Sequence, residues 1–287
     1  MEECRELKIE NCIFVMSEQI ERLNQQCYEM KLKALEMALS TSFGAHIGGG
    51  FSAMELMACL YEVANIPSME DESRDRIILS KGHGVLALYT ALWKKGLMTE
   101  EDLATFETDG TLFHGHAHRN LEKGIEFSGG SLGLGISYAV GVAKACKDKG
   151  LNNRIYVILG DGEMDEGIVW EALMAIVNFG LNNVIVIVDR NQYQLDGPTT
   201  DIMNLLSIED KLKAFGYDVE TVNGHSIPEL LNTLGKTSDS PRAIIANTIK
   251  ANGISFLMNN KISHQCVLPR KKYELAVEEI KQAYNGE

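Results

Sequence analysis

Two continuous apolar runs in the middle of the chain give the clearest indication of secondary structure. Residues 155–159 (IYVIL) and 184–188 (VIVIV) have the length of strands and carry no charged side chain. The segment between them, residues 166–181, has the spacing of apolar positions that is typical of a helix. Strand, helix and strand in this order predict a right-handed βαβ unit, whose parallel strands are buried on both faces.

The alternation of strand and helix patterns continues along the rest of the chain. Shorter runs predict strands at 76–79, 218–222 and 243–248, and helical spacing predicts helices that include 1–39, 53–63, 134–149, 228–234 and 271–284. Four glycines within residues 44–51 predict a break after the first helix, because glycine is costly in a helix. The order of elements predicts an α/β fold with a doubly wound, mostly parallel sheet flanked by helices. We interpret residues 1–30 as a helical N-terminal arm and residues 31–287 as a single domain.

Composition excludes some classes of partner. The formal net charge of −13 at pH 7 would repel a nucleic-acid backbone, so nucleic-acid binding is not expected. No apolar run approaches the roughly 18 residues that a membrane-spanning helix requires, so no membrane association is expected. The six cysteines form no C-x-x-C pair, and this usage predicts reduced thiols and a cytoplasmic protein.

Polar residues follow both central strands. Gly160, Asp161 and Gly162 come after the first strand, and Asn191 comes shortly after the second. Because neighbouring parallel strands end at the same edge of a sheet, Asp161 and Asn191 should lie close together. Carboxylate and amide oxygens suit Mg²⁺ or Ca²⁺, and Gly162 leaves room for a phosphate to approach its backbone N–H at the start of the following helix.

This segment resembles the thiamine-diphosphate motif, in which GDG is followed at a set distance by Asn. Here 28 residues separate Gly162 from Asn191. The resemblance implies thiamine diphosphate as cofactor, bound in the diphosphate-binding type of domain of this fold. It assigns Asp161, Asn191 and the carbonyl of Tyr193 to Mg²⁺, with Ca²⁺ or Mn²⁺ as substitutes.

Further segments are similar to those of transketolases and run through most of the chain. They are GAHIGG at 44–49, LSKGHG at 79–84, Gly115-His116, GGSLGLGIS at 129–137 and NGISFLMNNKISH at 252–264. Transfer of a two-carbon ketol unit moves protons on and off hydroxyls, which imidazoles do well near neutral pH. The resemblance places His46, His83 and His116 at the reacting carbon, where they act in catalysis.

The same resemblance implies the remaining contacts with the cofactor. His83 and His264 contact the diphosphate, and Gly130 and Leu132 lie against the aminopyrimidine ring. Glu166 also belongs, with Glu171, to a carboxylate network near the subunit interface. The full predicted cofactor-binding set is His83, Gly130, Leu132, Gly160, Asp161, Gly162, Glu163, Glu166, Asn191 and His264.

Three positions depart from the family pattern. Met258 stands where the family often has Glu, Gln265 follows His264 in place of Gly, and Lys81 occupies a variable position. The changes at 258 and 265 fall in one loop. A loop altered in this way would suit an unusual substrate.

The resemblance implies that this chain is one half of an enzyme. In full-length transketolases a second domain supplies the glutamate that activates the aminopyrimidine and most residues that bind sugar phosphates. No segment after residue 249 matches such a domain. We therefore expect a partner chain, the C-terminal transketolase subunit with the pyrimidine-binding domain, in an α₂β₂ assembly that acts on sugars or sugar phosphates.

Other interpretations stay open at this point. A specialised ketol transferase could use the same half-site on a different sugar. The 1-deoxyxylulose-phosphate synthases and the α subunits of 2-oxoacid dehydrogenases share the GDG…N module, although LSKGHG and GGSLGLG are more similar to transketolases. A non-catalytic regulator with the same fold is the alternative from another class, and the intact metal ligands and histidines argue against it.

Overall fold

A computed structural model describes residues 2–285 of the chain, and side chains from residue 15 to residue 284. It contains one parallel five-stranded sheet in the order β1-β2-β3-β5-β4. The strands are β1 Arg76–Leu79, β2 Ile155–Gly160, β3 Val184–Arg190, β4 Asp218–Asn223 and β5 Arg242–Asn247. This confirms the predicted α/β fold and all five predicted strands.

Helices cover both faces of the sheet, as a doubly wound fold requires. They are α1 Glu2–Ser40, α2 Ile47–Ser52, α3 Met54–Val63, α4 Val85–Lys94, α5 Glu100–Ala104, α6 Leu134–Asp148, α7 Gly167–Asn178, α8 Thr199–Ile202, α9 Ile208–Phe215, α10 Ile227–Leu234 and α11 Arg270–Asn285. Side chains of α1 to α4, α10 and α11 form the core on one face, and those of α6, α7 and α9 form it on the other. Alternate residues of β2 point into these two cores, which explains why the strand is apolar throughout.

The glycine-rich segment differs from the prediction. The first helix ends at Ser40, but Gly48, Gly49 and Gly50 lie inside the short helix α2. The prediction of a break across 44–51 was wrong for this part because tertiary packing, and not helix propensity, sets the backbone there. A Cβ atom on Gly49 would come within 2.5 Å of Cδ2 of His83, so the glycine lets α2 lie directly against that imidazole.

The N-terminal helix crosses the boundary that we predicted at residue 30. Helix α1 runs without interruption from Glu2 to Ser40, and its buried residues from Leu23 onward pack in the main core. The division into an arm and a domain stays a prediction. Cys4, Cys12 and the other residues before residue 15 lie outside the described side chains.

Four cysteines with described side chains, Cys27, Cys59, Cys146 and Cys266, are all free thiols. Across the helices that the structure describes, none combines the length and the low polarity that crossing a membrane would demand.

Candidate active site

The carboxyl edge of the sheet holds the predicted site residues. Gly160 at the end of β2 lies in register with Asp189 of β3, and Asp189 lies in register with Ala246 of β5. The loops that follow these strands surround a cavity of about 210 Å³. Its lining residues are His83, His116, Gly130, Leu132, Gly160, Asp161, Gly162, Glu163, Asn191, Tyr193, Gln194, Leu195 and His264. The cavity thus brings together every predicted site residue except His46 and Glu166.

His46 is nevertheless part of the same cluster of side chains. Its ring centroid lies 4.9 Å from that of His116, 5.5 Å from that of His264 and 6.2 Å from that of His83. Its Nδ1 atom is buried and has no hydrogen-bond partner in the structure. A polar ligand group in the cluster would satisfy this nitrogen.

The histidines form a neutral group. Burial, together with the neighbouring His116, His264 and Lys250, lowers the pKa of His46 to about 4. Burial, Lys250 and His116 likewise lower the pKa of His264 to about 4. The pKa of His83 is well below its ordinary value, mainly because the ring is buried. Each ring therefore carries one N–H donor and one nitrogen acceptor at neutral pH, which suits sugar hydroxyls.

Asp161 and Asn191 lie together, as predicted. The Asp161 carboxylate accepts hydrogen bonds from the backbone N–H of Gly162 at 3.0 Å and of Gln192 at 2.6 Å. The Asn191 side-chain oxygen accepts the backbone N–H of Tyr193 at 3.1 Å. These bonds fix both side chains on their loops, in the lining of the candidate cofactor cavity.

The same residues fit a divalent cation. Burial and the nearby Asp189 raise the pKa of Asp161 to about 7, so a cation beside it would offset an otherwise costly buried charge. Among the side chains described, no group of three His, Cys, Asp or Glu residues could hold a metal. A metal here would depend on one carboxylate with amide and carbonyl oxygens, which is the donor set that suits Mg²⁺.

Glu163 connects three loops of the site. Its carboxylate accepts the Ser80 hydroxyl at 2.5 Å, the Gly133 N–H at 2.8 Å and the Gly160 N–H at 3.0 Å. It lines the cavity, but its bonds are used within the protein. Its predicted contact with the cofactor stays a prediction.

Neither Glu166 nor Glu171 lines the cavity. Glu166 is the exposed residue that precedes α7, and Glu171 is exposed on that helix. Their exposure is compatible with a place at a subunit interface, and the predicted carboxylate network stays a prediction.

Sequence reasoning missed a buried ion pair beneath the site. Lys81, which we treated as a variable position, is fully buried and paired with the fully buried Asp189. Its ammonium also donates to the Gly49 carbonyl at 2.9 Å, and the Ser52 hydroxyl donates to Asp189 at 2.6 Å. A signal was present at Asp189 alone, because an aspartate that directly follows a buried apolar run needs a partner of opposite charge, but that signal does not identify Lys81 as the partner.

Lys250 was also missed. Lys250 follows β5 at the same edge of the sheet, and only 1% of its surface is exposed. Its ammonium donates to the Gln194 carbonyl at 3.0 Å and lies 3.5 Å from the Tyr193 carbonyl. Burial and the Lys81 ammonium lower the pKa of Lys250 to about 8. An ammonium group therefore lies 3.5 Å from the Tyr193 carbonyl that was predicted to bind the metal.

Comparison with known proteins agrees with this geometry. Residues 29–285 match the family model of the transketolase thiamine diphosphate binding domain, so the chain belongs to the transketolase family. It is 38% identical to the 6-deoxy-6-sulfo-D-fructose transketolase subunit SqwG of Clostridium sp. (strain MSTE9), over 93% of this chain and 99% of that protein. It is 35% identical to one of the subunits of apulose-4-phosphate transketolase from Phocaeicola vulgatus, over 92% of this chain and 95% of that one.

Solved structures place the same fold in larger enzymes. Transketolase from Campylobacter jejuni superposes with a TM-score of 0.82 at 27% identity, over 90% of this chain and 42% of that chain. Transketolase from Leishmania mexicana superposes with a TM-score of 0.80 at 28% identity, over 93% of this chain and 41% of that chain. This chain therefore corresponds to under half of these transketolases, whereas it spans nearly all of the relatives named as subunits.

Proposed function

We propose that this chain is the N-terminal subunit of a two-chain transketolase, which transfers a two-carbon ketol unit from a ketose donor to an aldose acceptor. The observation that carries the proposal is one cavity in which Asp161, Asn191 and Tyr193 face His83, His116 and His264. Membership of the transketolase family and the similarity to proteins named as transketolase subunits support it.

Thiamine diphosphate would supply the carbanion chemistry of the transfer, and the chain would supply binding and proton handling. Asp161, Asn191 and the Tyr193 carbonyl would hold Mg²⁺ between the protein and the diphosphate. His83 and His264 would contact the diphosphate, and Gly130 and Leu132 the aminopyrimidine ring. His46 and His116, close to His83, would bind substrate hydroxyls and move protons between them.

The proposed enzyme is active only with a partner. The names of the related subunits imply a second chain, which would carry the pyrimidine-binding domain and the activating glutamate in an α₂β₂ assembly. Among the described side chains that line the cavity, none is lysine or arginine. An anionic group on a sugar substrate would therefore bind to cationic side chains of the partner chain.

The test is to produce the chain with and without the product of a neighbouring gene that encodes a pyrimidine-binding domain. We expect ketol transfer from xylulose 5-phosphate to ribose 5-phosphate, or from another donor, only when both chains, the cofactor and Mg²⁺ are present. Robust turnover by this chain alone would refute the need for a partner. Absence of turnover by the pair with every donor, together with no cofactor binding, would refute the proposed function.

A second candidate differs only in the sugar. The two relatives above are named for apulose 4-phosphate and for 6-deoxy-6-sulfo-D-fructose, so related subunits carry the names of different sugars. Met258, which stands where the family often has Glu, lies in the segment before His264 and is 38% exposed. A donor panel with phosphate, sulfonate and uncharged ketoses, assayed with the wild type and Met258→Glu, separates the candidates. A change in donor preference in the variant would favour the specialised enzyme.

A further inference from the structure

A line of hydrogen bonds outside the cavity joins a buried ion pair to the backbone beside Lys250. The Glu55 carboxylate of α3 accepts the Lys31 ammonium at 2.7 Å, and both side chains are almost fully buried. Nδ1 of His225 lies 2.9 Å from the other Glu55 oxygen. On the far side of the ring, the backbone N–H of Ile249 donates to Nε2 of His225 at 2.9 Å.

This geometry determines the tautomer of His225. Because Nε2 accepts the Ile249 N–H, it carries a lone pair, and the proton of the neutral ring is on Nδ1. The Nδ1–H group then donates to Glu55. The amide nitrogen Nδ2 of Asn252 also lies 3.0 Å from Nδ1, but as a donor it accepts no hydrogen bond from the protonated Nδ1. A carboxylate on one ring nitrogen fixes the orientation of an imidazole and makes the other nitrogen a better acceptor. The ring thus holds the Ile249 backbone in one place.

The residue after Ile249 is Lys250, and its position depends on that anchor. Strand β5 ends at Asn247, so the sheet no longer restrains the chain at 249. The backbone N–H of Ala251 donates to the Gly48 carbonyl at 3.1 Å, which fixes the segment on its other side. Between these two bonds the Lys250 side chain reaches the carbonyls of Tyr193 and Gln194.

We propose that His225, oriented by Glu55, is a positioning residue that holds the Lys250 ammonium against the loop of Tyr193. None of His225, Glu55 and Lys31 lines the candidate cavity, so the action of His225 passes through the Ile249 backbone. The inference rests on the proposed function only for the identity of the ligand, a diphosphate with its metal. The hydrogen-bond geometry itself does not depend on it.

A positioning role and a purely structural role make different predictions. If His225 serves only stability, its loss should lower the melting temperature and leave ligand affinity unchanged in the folded protein. If it positions Lys250, a replacement without hydrogen bonds should weaken ligand binding, and a replacement that both donates and accepts should restore it.

The experiment compares His225→Leu, which cannot hydrogen-bond, with His225→Gln, which can donate to Glu55 and accept from Ile249. Tyr217→Phe is the control, because it removes a buried 2.9 Å hydrogen bond to the Leu173 carbonyl on the opposite face of the sheet. In the full chain without ligand, amide exchange of Ile249 should accelerate about tenfold in His225→Leu and stay near the wild-type rate in His225→Gln and in the control. Unchanged exchange in His225→Leu would overturn the inference.

Binding gives the second readout, by calorimetric titration of thiamine diphosphate with Mg²⁺ well below each melting temperature. The Kd should rise about tenfold in His225→Leu, with near wild-type affinity in His225→Gln and in Tyr217→Phe. Equal affinity of His225→Leu and the wild type would overturn the positioning role. If the wild type binds no thiamine diphosphate, with or without its partner chain, the proposed function fails. The amide exchange rates of Ile249 then test separately whether the hydrogen bond to His225 holds the Ile249 backbone in place.

Discussion

The ion pair between Lys81 and Asp189 gives a quantitative test of how the site is supported. Both side chains are fully buried, and each has further hydrogen bonds inside the protein. Burial alone would raise the pKa of Asp189, but the Lys81 ammonium and the Ser52 and Thr248 hydroxyls lower it below its ordinary value. Asp189 is therefore charged in the folded protein, and its charge depends on Lys81.

Lys81→Met removes the cation and leaves a buried carboxylate with hydroxyl donors alone. Breaking a buried pair from one side typically costs about 3–5 kcal/mol of the free energy of unfolding, and we expect that range here. Asp189→Asn should cost a similar amount, because it leaves a buried ammonium. The double variant Lys81→Met/Asp189→Asn leaves neither charge, so its cost should fall below the sum of the two single costs by about 3 kcal/mol.

The assay is urea unfolding at pH 7 of the wild type, both single variants and the double variant. Lys144→Met is the matched control, because Lys144 pairs with Asp148 on the exposed face of α6. That change should alter the free energy of unfolding by about 0.5 kcal/mol or less. A cost below about 1 kcal/mol for Lys81→Met, or strict additivity of the two single changes, would show that the pair does not stabilise the fold around the site.

Three further predictions concern other parts of the site. Asp161→Ala should abolish Mg²⁺-dependent binding of thiamine diphosphate in a calorimetric titration while circular dichroism shows an intact fold, and wild-type affinity would contradict the metal assignment. Gly49→Ala should lower the free energy of unfolding by about 1–3 kcal/mol in urea, because its Cβ would meet Cδ2 of His83 at 2.5 Å. Although burial opposes the shift, Lys31 and His225 lower the pKa of Glu55 from 4.5 to about 2, so Glu55 stabilises the protein fully above pH 4.5. About 3 kcal/mol of the free energy of unfolding should be lost as the pH falls toward 2, and this free energy should depend less on pH in Glu55→Gln. An equal dependence on pH in the two proteins would contradict the reasoning.

The fold could be predicted because its signals are local. The apolar runs of β2 and β3 and the helix between them are each visible within a few residues, and the parallel arrangement follows from their order. The proximity of Asp161 to Asn191 follows from this arrangement, since the carboxyl ends of adjacent parallel strands lie at one edge of the sheet. The other predicted lining residues came from the resemblance to transketolases, because His116, Gly130, Leu132 and His264 do not follow strands of the sheet.

The supporting charges could not be predicted in the same way. Lys81 and Asp189 are 108 residues apart in sequence. They meet because Lys81 follows β1 and Asp189 lies near the end of β3, at the same edge of the sheet. Nothing near Lys81 distinguishes a buried lysine from an exposed one. The helix through Gly48 to Gly50 was missed for the same reason, since its close packing against His83 depends on a distant segment.

The charge of the histidines is another property that only the assembled site determines. An isolated imidazole titrates near neutral pH, and the sequence suggested acid–base groups for that reason. In the fold, four rings and Lys250 lie close together, and burial with mutual repulsion lowers the pKa of His46 and of His264 to about 4. Neutral rings do not attract anions, and the chain as a whole carries a formal net charge of −13. A cavity of this kind is suited to hydroxyls, and under the proposed function we expect discrimination between phosphate and sulfonate tails to depend on residues of the partner chain.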